Sequence, residues 1–125
     1  MIISNSKFSN QGGAAKGCVK GCFIYSGEQS NVNIASSTFE NGEASESGGV
    51  LYAGSGSKIN LTSVTIRNAV ATTGSAIFSS FNTELTVTSS TFTNLNATDT
   101  GGIYLQYSTL TNIQDSSFSD CTATN

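Results

Sequence analysis

The chain contains no histidine, no tryptophan and no proline, and charged residues fill only 10% of its 125 positions. Without histidine there is no imidazole base, no Ser-His-Asp triad and no His-ligated zinc. Five Lys and Arg against eight Asp and Glu leave a net charge of −3, the wrong sign for a surface that neutralises phosphates. No nucleic-acid partner is expected. No apolar run approaches the ~20 residues of a membrane-spanning helix, so no membrane span is expected either. What abounds is small and polar: Ser, Thr, Gly and Asn occupy 62 of the 125 positions. A chain so poor in charge is not the usual disordered polyelectrolyte.

An internal repeat orders these residues. The segments Phe8-Ser9-Asn10, Phe39-Glu40-Asn41, Ile66-Arg67-Asn68, Phe92-Thr93-Asn94 and Phe118-Ser119-Asp120 recur at spacings of 31, 27, 26 and 26 residues. Seven positions before each anchor stand Met1, Val32, Ile59, Leu85 and Thr111, and five before stand Ile3, Ile34, Leu61, Val87 and Ile113. Fourteen before the last four anchors stand Tyr25, Tyr52, Phe78 and Tyr104, each preceded by Ile or Leu. Five after the anchors stand Gly13, Ala44, Ala71, Ala97 and Ala123.

Each unit holds three short β-like runs separated by turns of Gly, Ser, Asn and Thr, as in Ala76-Ile77-Phe78, Leu85-Thr86-Val87-Thr88 and Thr91-Phe92-Thr93. The middle run alternates apolar and polar with period two, the mark of one face in and one face out. Nothing has a helical period. A unit of about 26 residues is too short for a propeller blade and lacks the helices of most solenoids. Three strands and three turns fit one coil of a parallel β-helix, in which each strand pairs with its own copy one coil on. The expected fold is therefore all-β: a three-strand solenoid of four to five coils over residues 1–125, as a single segment with uncapped ends. Uncapped ends leave core side chains and a strand edge open, so further coils of a longer chain or copies of the same chain are the expected partners.

Stacking assigns roles to residues that look random in the linear sequence. Phe8, Phe39, Ile66, Phe92 and Phe118 form an interior stack. Asn10, Asn41, Asn68, Asn94 and Asp120 form a ladder in which each amide can donate to one neighbour and accept from the other. Glu40 falls beside Arg67, and Lys58 beside Glu84, as cross-rung ion pairs. Gly48-Gly49, Gly74-Ser75 and Gly101-Gly102 precede the first strand of their coils, where a corner calls for positive φ or close backbone approach.

The remaining candidates are open to two readings. Cys18 and Cys22 are four residues apart, close enough for a loop-closing disulfide and equally compatible with two thiols. Cys121 lies some four coils from both and cannot reach them. Asn60-Leu61-Thr62 and Asn96-Ala97-Thr98 match the glycosylation acceptor pattern, with Asn60 the better placed because Ile59 and Leu61 point inward. Phe81 and Tyr107 occupy corresponding turns, where they either stack on sugar rings or pack on one another. Among the acids only Glu40, Glu43 and Glu46 cluster, with Asp115 and Asp120 a faint pair on one flank. No catalytic group, metal site or cofactor is expected.

Units such as Phe39-Glu40-Asn41 followed by Gly48-Gly49-Val50-Leu51-Tyr52, and Phe92-Thr93-Asn94 followed by Gly101-Gly102-Ile103-Tyr104, resemble pectin-lyase-like right-handed parallel β-helix proteins. They are most similar to the Gly-Gly-Ala-Ile and Phe-x-x-Asn repeats of the polymorphic outer-membrane protein adhesins. The resemblance implies a right-handed helix and an extracellular or cell-surface setting. It also implies a structural shaft or fibre, with a carbohydrate- or surface-binding adhesin module as the alternative and a polysaccharide lyase or hydrolase fragment as the second.

Overall fold

Residues 1–10, 18–108 and 110–125 are described by the computed structural model. Among them there is no helix; short strands form three all-parallel sheets, as the repeat predicts. The first sheet joins β1 (Ile2–Ser4), β4 (Asn31–Ala35), β7 (Lys58–Thr62), β10 (Glu84–Thr88) and β13 (Leu110–Gln114) in that order. The second joins β2 (Lys7–Ser9), β5 (Thr38–Glu40), β8 (Thr65–Thr73), β11 (Thr91–Thr100) and β14 (Ser117–Ser119), with β15 (Thr122–Ala123) also on β11. The third joins β3 (Ile24–Ser26), β6 (Leu51–Ala53), β9 (Ile77–Ser79) and β12 (Ile103–Leu105). Strand neighbours in space are thus a full coil apart in sequence, which is a parallel β-solenoid of about four turns.

Register follows the sequence columns. Val32, Ile59, Leu85 and Thr111 are successive partners, as are Ile34, Leu61, Val87 and Ile113. Phe8, Phe39, Ile66, Phe92 and Phe118 pair in one file through the second sheet. Period-two alternation aims these side chains inward, and one continuous core collects all but Thr111, Ile113 and Phe118 of the last rung, together with Ile24, Leu51 and Ile77 of the third sheet. Each Val, Leu, Ile or Phe so buried stabilises by roughly 1.5–3 kcal/mol. Phe8 and Phe118 lie at the two ends of their file and are only partly covered, whereas Phe39, Ile66 and Phe92 are buried.

Left-handed residues make the corners, and they too are stacked. Asn5, Ser36, Ser63, Ser89 and Asp115 have φ of 48–54° between the first and second sheets. Gly48 and Gly74, at φ 63° and 59°, turn the chain into the third sheet, as their place in the sequence predicts. One residue beyond the Asn5 column, a serine ladder closes the same corner. The Ser90 N–H donates to Ser116 Oγ and the Val64 N–H to Ser90 Oγ, both at 3.1 Å. Each of these hydroxyls in turn donates to the carbonyl two residues before it.

In one respect the runs are longer than the sequence suggests. β8 and β11 continue for nine and ten residues, straight through Asn68 and Asn94. Those two residues are left-handed, at φ 55° and 52°, so the chain swings at each asparagine and then resumes pairing at Ala69–Leu95. The asparagine is a bend within a strand rather than the end of one. Ala44, Ala71 and Ala97 are buried just past that bend. Gly13, the first member of that column by spacing, lies outside the described residues.

Candidate functional site

The polar ladder of the second sheet has a direction. Asn94 Nδ2 donates to Asn68 Oδ1 at 2.8 Å, and Asn68 Nδ2 donates to Asn41 Oδ1 at 3.2 Å. Asn41 Nδ2 reaches the Asn10 carbonyl at 3.1 Å, and Asn10 Nδ2 returns the bond to the Asn41 carbonyl at 3.2 Å. Asp120 follows Asn94 in the column with the same left-handed φ, 53°. An ionised carboxylate has no hydrogen to donate, so the donating chain cannot be continued from Asp120 to Asn94.

One residue before the bends at Asn41 and Asn68 lies the ion cluster. Glu40 and Arg67 are register partners, and Arg67 Nε donates to Glu40 Oε1 at 3.0 Å, with Nη2 on the same oxygen. Lys7 Nζ adds a third contact to Oε1 at 3.2 Å. The Arg67 guanidinium and then the Lys7 ammonium hold the Glu40 carboxyl below its ordinary value near 4.5, against a smaller opposing effect of desolvation. Because the folded-state pKa is depressed, the unfolded chain binds the proton more readily. The stabilisation is therefore complete above about pH 4.5 and is lost as pH falls through the folded value. Comparing urea unfolding of the wild type and Glu40→Gln across pH, the stability gap between them should be constant at neutral pH and should close on acidification. A gap independent of pH would show that Glu40 contributes no charge-dependent term.

Lys58 and Glu84 are also register partners, with Nζ 2.9 Å from Oε2. Both are exposed, so the pair is worth at most about 1 kcal/mol. Lys20 meets Glu46 at 3.7 Å. Glu40 and Glu46 are thus engaged with cations, while Glu43 joins Val70 through a backbone bridge. Among the described residues no three His, Cys, Asp or Glu side chains converge as a metal site.

The cysteines resolve into one bridge and one thiol. Cys18 and Cys22 form a disulfide with Cα atoms 5.6 Å apart, and Cys121 is free and exposed. Asn60 points outward from β7, half-buried, with Nδ2 donating to Asn33 Oδ1 at 2.8 Å. Asn96 is exposed on β11 and accepts a hydrogen bond from Thr122 Oγ1 at 2.6 Å.

Aromatic rings dominate the third face. Each strand of the third sheet has three residues, and its middle one points out: Tyr25, Tyr52, Phe78 and Tyr104. Tyr25, Tyr52 and Phe78 are nearly parallel at successive centroid distances of 5.1 and 5.1 Å, and Tyr104 is tilted by 27° to Phe78 at 5.2 Å. Phe81 and Tyr107 stack on one another at 5.3 Å in the turn that follows, so both also serve as a packed pair. Lys20 Nζ sits 5.3 Å from the Tyr52 centroid.

Three of these features go beyond the column reading of the sequence. The outward row of rings was signalled by the Ile-Tyr and Leu-Tyr dipeptides, since alternation sends the second residue out if the first goes in. The serine ladder was signalled by Ser6, Ser37, Ser90 and Ser116, each two before its anchor. Lys7 joins Glu40 on a diagonal, because its own register partner is Thr38, and no same-column comparison finds it. No family model matches the chain, and no curated protein or solved structure matches it significantly.

Proposed function

We propose that this chain is a structural β-solenoid segment of an extracellular protein, a stiff shaft that is lengthened by laying further coils on its rungs. The observation that carries the reading is the state of the rung made by β13 and β14. Ile113 and Phe118 occupy inward columns there, yet they are 40% and 45% exposed, while Val87 and Phe92 one rung away are fully buried. The backbone of that rung follows the same parallel ladder as the others. A further coil, from this chain or a second copy, would cover both side chains and pair the edge in one step. Head-to-tail contacts of that kind do not close and so build rods.

The Cys18–Cys22 bridge supports an extracellular setting, because disulfides persist chiefly in oxidising compartments. The Gly-Gly repeats, which resemble those of the polymorphic outer-membrane protein adhesins, are consistent with the same setting. Biotinylation of intact cells carrying the protein with a membrane-impermeant, thiol-reactive reagent directed at Cys121 tests it: labelling is expected, and protection until lysis would place the chain inside.

Association is tested by sedimentation velocity of the 125-residue chain over a wide concentration range. Growth into elongated species is expected, with Phe118→Asp restoring small ones at unchanged circular dichroism. A wild type that sediments as monomer at every concentration contradicts the reading.

A further inference from the structure

The four tyrosines of the chain have two kinds of neighbour. Tyr25 and Tyr52 are register partners on β3 and β6, with rings 4° from parallel and centroids 5.1 Å apart. Tyr104 and Tyr107 stack instead on phenylalanines, Phe78 at 5.2 Å and Phe81 at 5.3 Å. Stacking needs only a ring, and Phe78 supplies one within the same row. What Tyr25 and Tyr52 add is a pair of oxidisable phenols held one strand spacing apart. Parallel register aims both side chains the same way, so each ortho carbon of one ring lies near its counterpart on the other. Tyr25 is 63% exposed. Its ring is therefore open to an oxidant and free to turn edge-on to its neighbour, a fast motion for an exposed side chain.

We propose that Tyr25 and Tyr52 are a site of oxidative coupling, joined as dityrosine by hydrogen peroxide and a haem peroxidase. The peroxidase removes one hydrogen atom, an electron and a proton, from each phenol, and the peroxide is reduced to two waters. The two phenoxyl radicals pair their electrons in a new carbon–carbon bond between ortho positions. Each bonded ortho carbon then releases its proton and each phenol oxygen regains one, which restores both rings. Coupling needs two radicals side by side, and the rings stacked on Tyr104 and Tyr107 are phenylalanines that give none. The position of the bond gives it a use. Among the described residues β3 is an end strand of the third sheet and pairs with β6 alone. A bond from Tyr25 to Tyr52 ties that strand to the next coil, just after the segment that the Cys18–Cys22 bridge closes. Cross-links of this kind stabilise by restricting the unfolded chain. The inference goes beyond the shaft reading and does not require copies to associate.

The test treats the folded chain with a haem peroxidase and hydrogen peroxide, the Cys121 thiol being alkylated beforehand so that it consumes no oxidant. The monomer band of a denaturing gel is then digested after glutamate. That cleavage separates Tyr25 from Tyr52, and both from the peptide that carries Tyr104 and Tyr107. Dityrosine fluorescence is expected, with the Tyr25 and Tyr52 peptides joined at a mass short by two hydrogens. Tyr25→Phe, which keeps the stacked ring, should lose nearly all of this product, and Tyr104→Phe should leave its yield unchanged. Phe78→Tyr should add a second link, to the Tyr104 peptide. The linked chain should unfold at a higher urea concentration than the unlinked one. Three results overturn the proposal: no dityrosine in the monomer band, a wild-type product that maps to Tyr104 or Tyr107, or an undiminished product from Tyr25→Phe. The monomer band reports links within one chain only, so a monomeric sedimentation profile would remove the stacking reading and leave this one standing.

Discussion

Replacing Phe92 with alanine is expected to cost about 3–5 kcal/mol of unfolding free energy, the range for a large aromatic removed from a rigid core. The ring is fully buried, lies 4.6 Å from Phe118 in near-parallel stacking, and has Ile66 as its partner on the other side. Each coil adds one layer to the solenoid interior and is held at the strand spacing by its backbone ladder, so the neighbouring coils cannot close in to fill the void. Phe118→Ala should cost much less, because that ring is already half in water. Urea denaturation of both variants checks the difference. A loss below about 1 kcal/mol for Phe92→Ala would mean that the column is not packed.

Gly49→Ala is the second large effect, and it arises from backbone rather than side chain. A Cβ at this position would collide with the carbonyl oxygen of Ser75 and stand 2.7 Å from that of Val70. The Val70 oxygen accepts the Ala44 N–H at 3.0 Å, so it cannot retreat without breaking a rung of the ladder. Overpacking against fixed atoms of this kind should destabilise by about 3 kcal/mol. Gly27 provides the contrast, since a Cβ there meets nothing within 4 Å. Gly27→Ala should fall within about 0.5 kcal/mol of the wild type. Equal effects for the two substitutions would show that the corner at Gly49 is not closed.

The repeat made most of the architecture readable, for a physical reason. When a strand pairs with its own copy, identical residues are brought together, and sequence periodicity becomes spatial contact. The interior phenylalanines, the asparagine ladder and the Glu40–Arg67 and Lys58–Glu84 pairs all follow from that single relation. Interactions that cross columns do not. Lys7 reaches Glu40 on a diagonal, and Cys18 with Cys22 lies in the part of the first coil that exceeds the repeat length, where no column constrains the geometry. The asparagines misled on one point only. A left-handed residue reads as a corner, yet β8 and β11 recover their pairing immediately afterwards because Ala69 and Leu95 again point inward and are buried. The same period that reveals the shaft is silent about ligands, since a column of exposed rings serves a fold and a surface equally.

Parallel self-stacking of coils is tested most directly by backbone NOEs in solution. Val87 should show contacts to Leu61 on one side and Ile113 on the other, and Phe92 to Ile66 and Phe118. Contacts that instead join β10 to β11 as an antiparallel hairpin would contradict the fold and every column assigned from it.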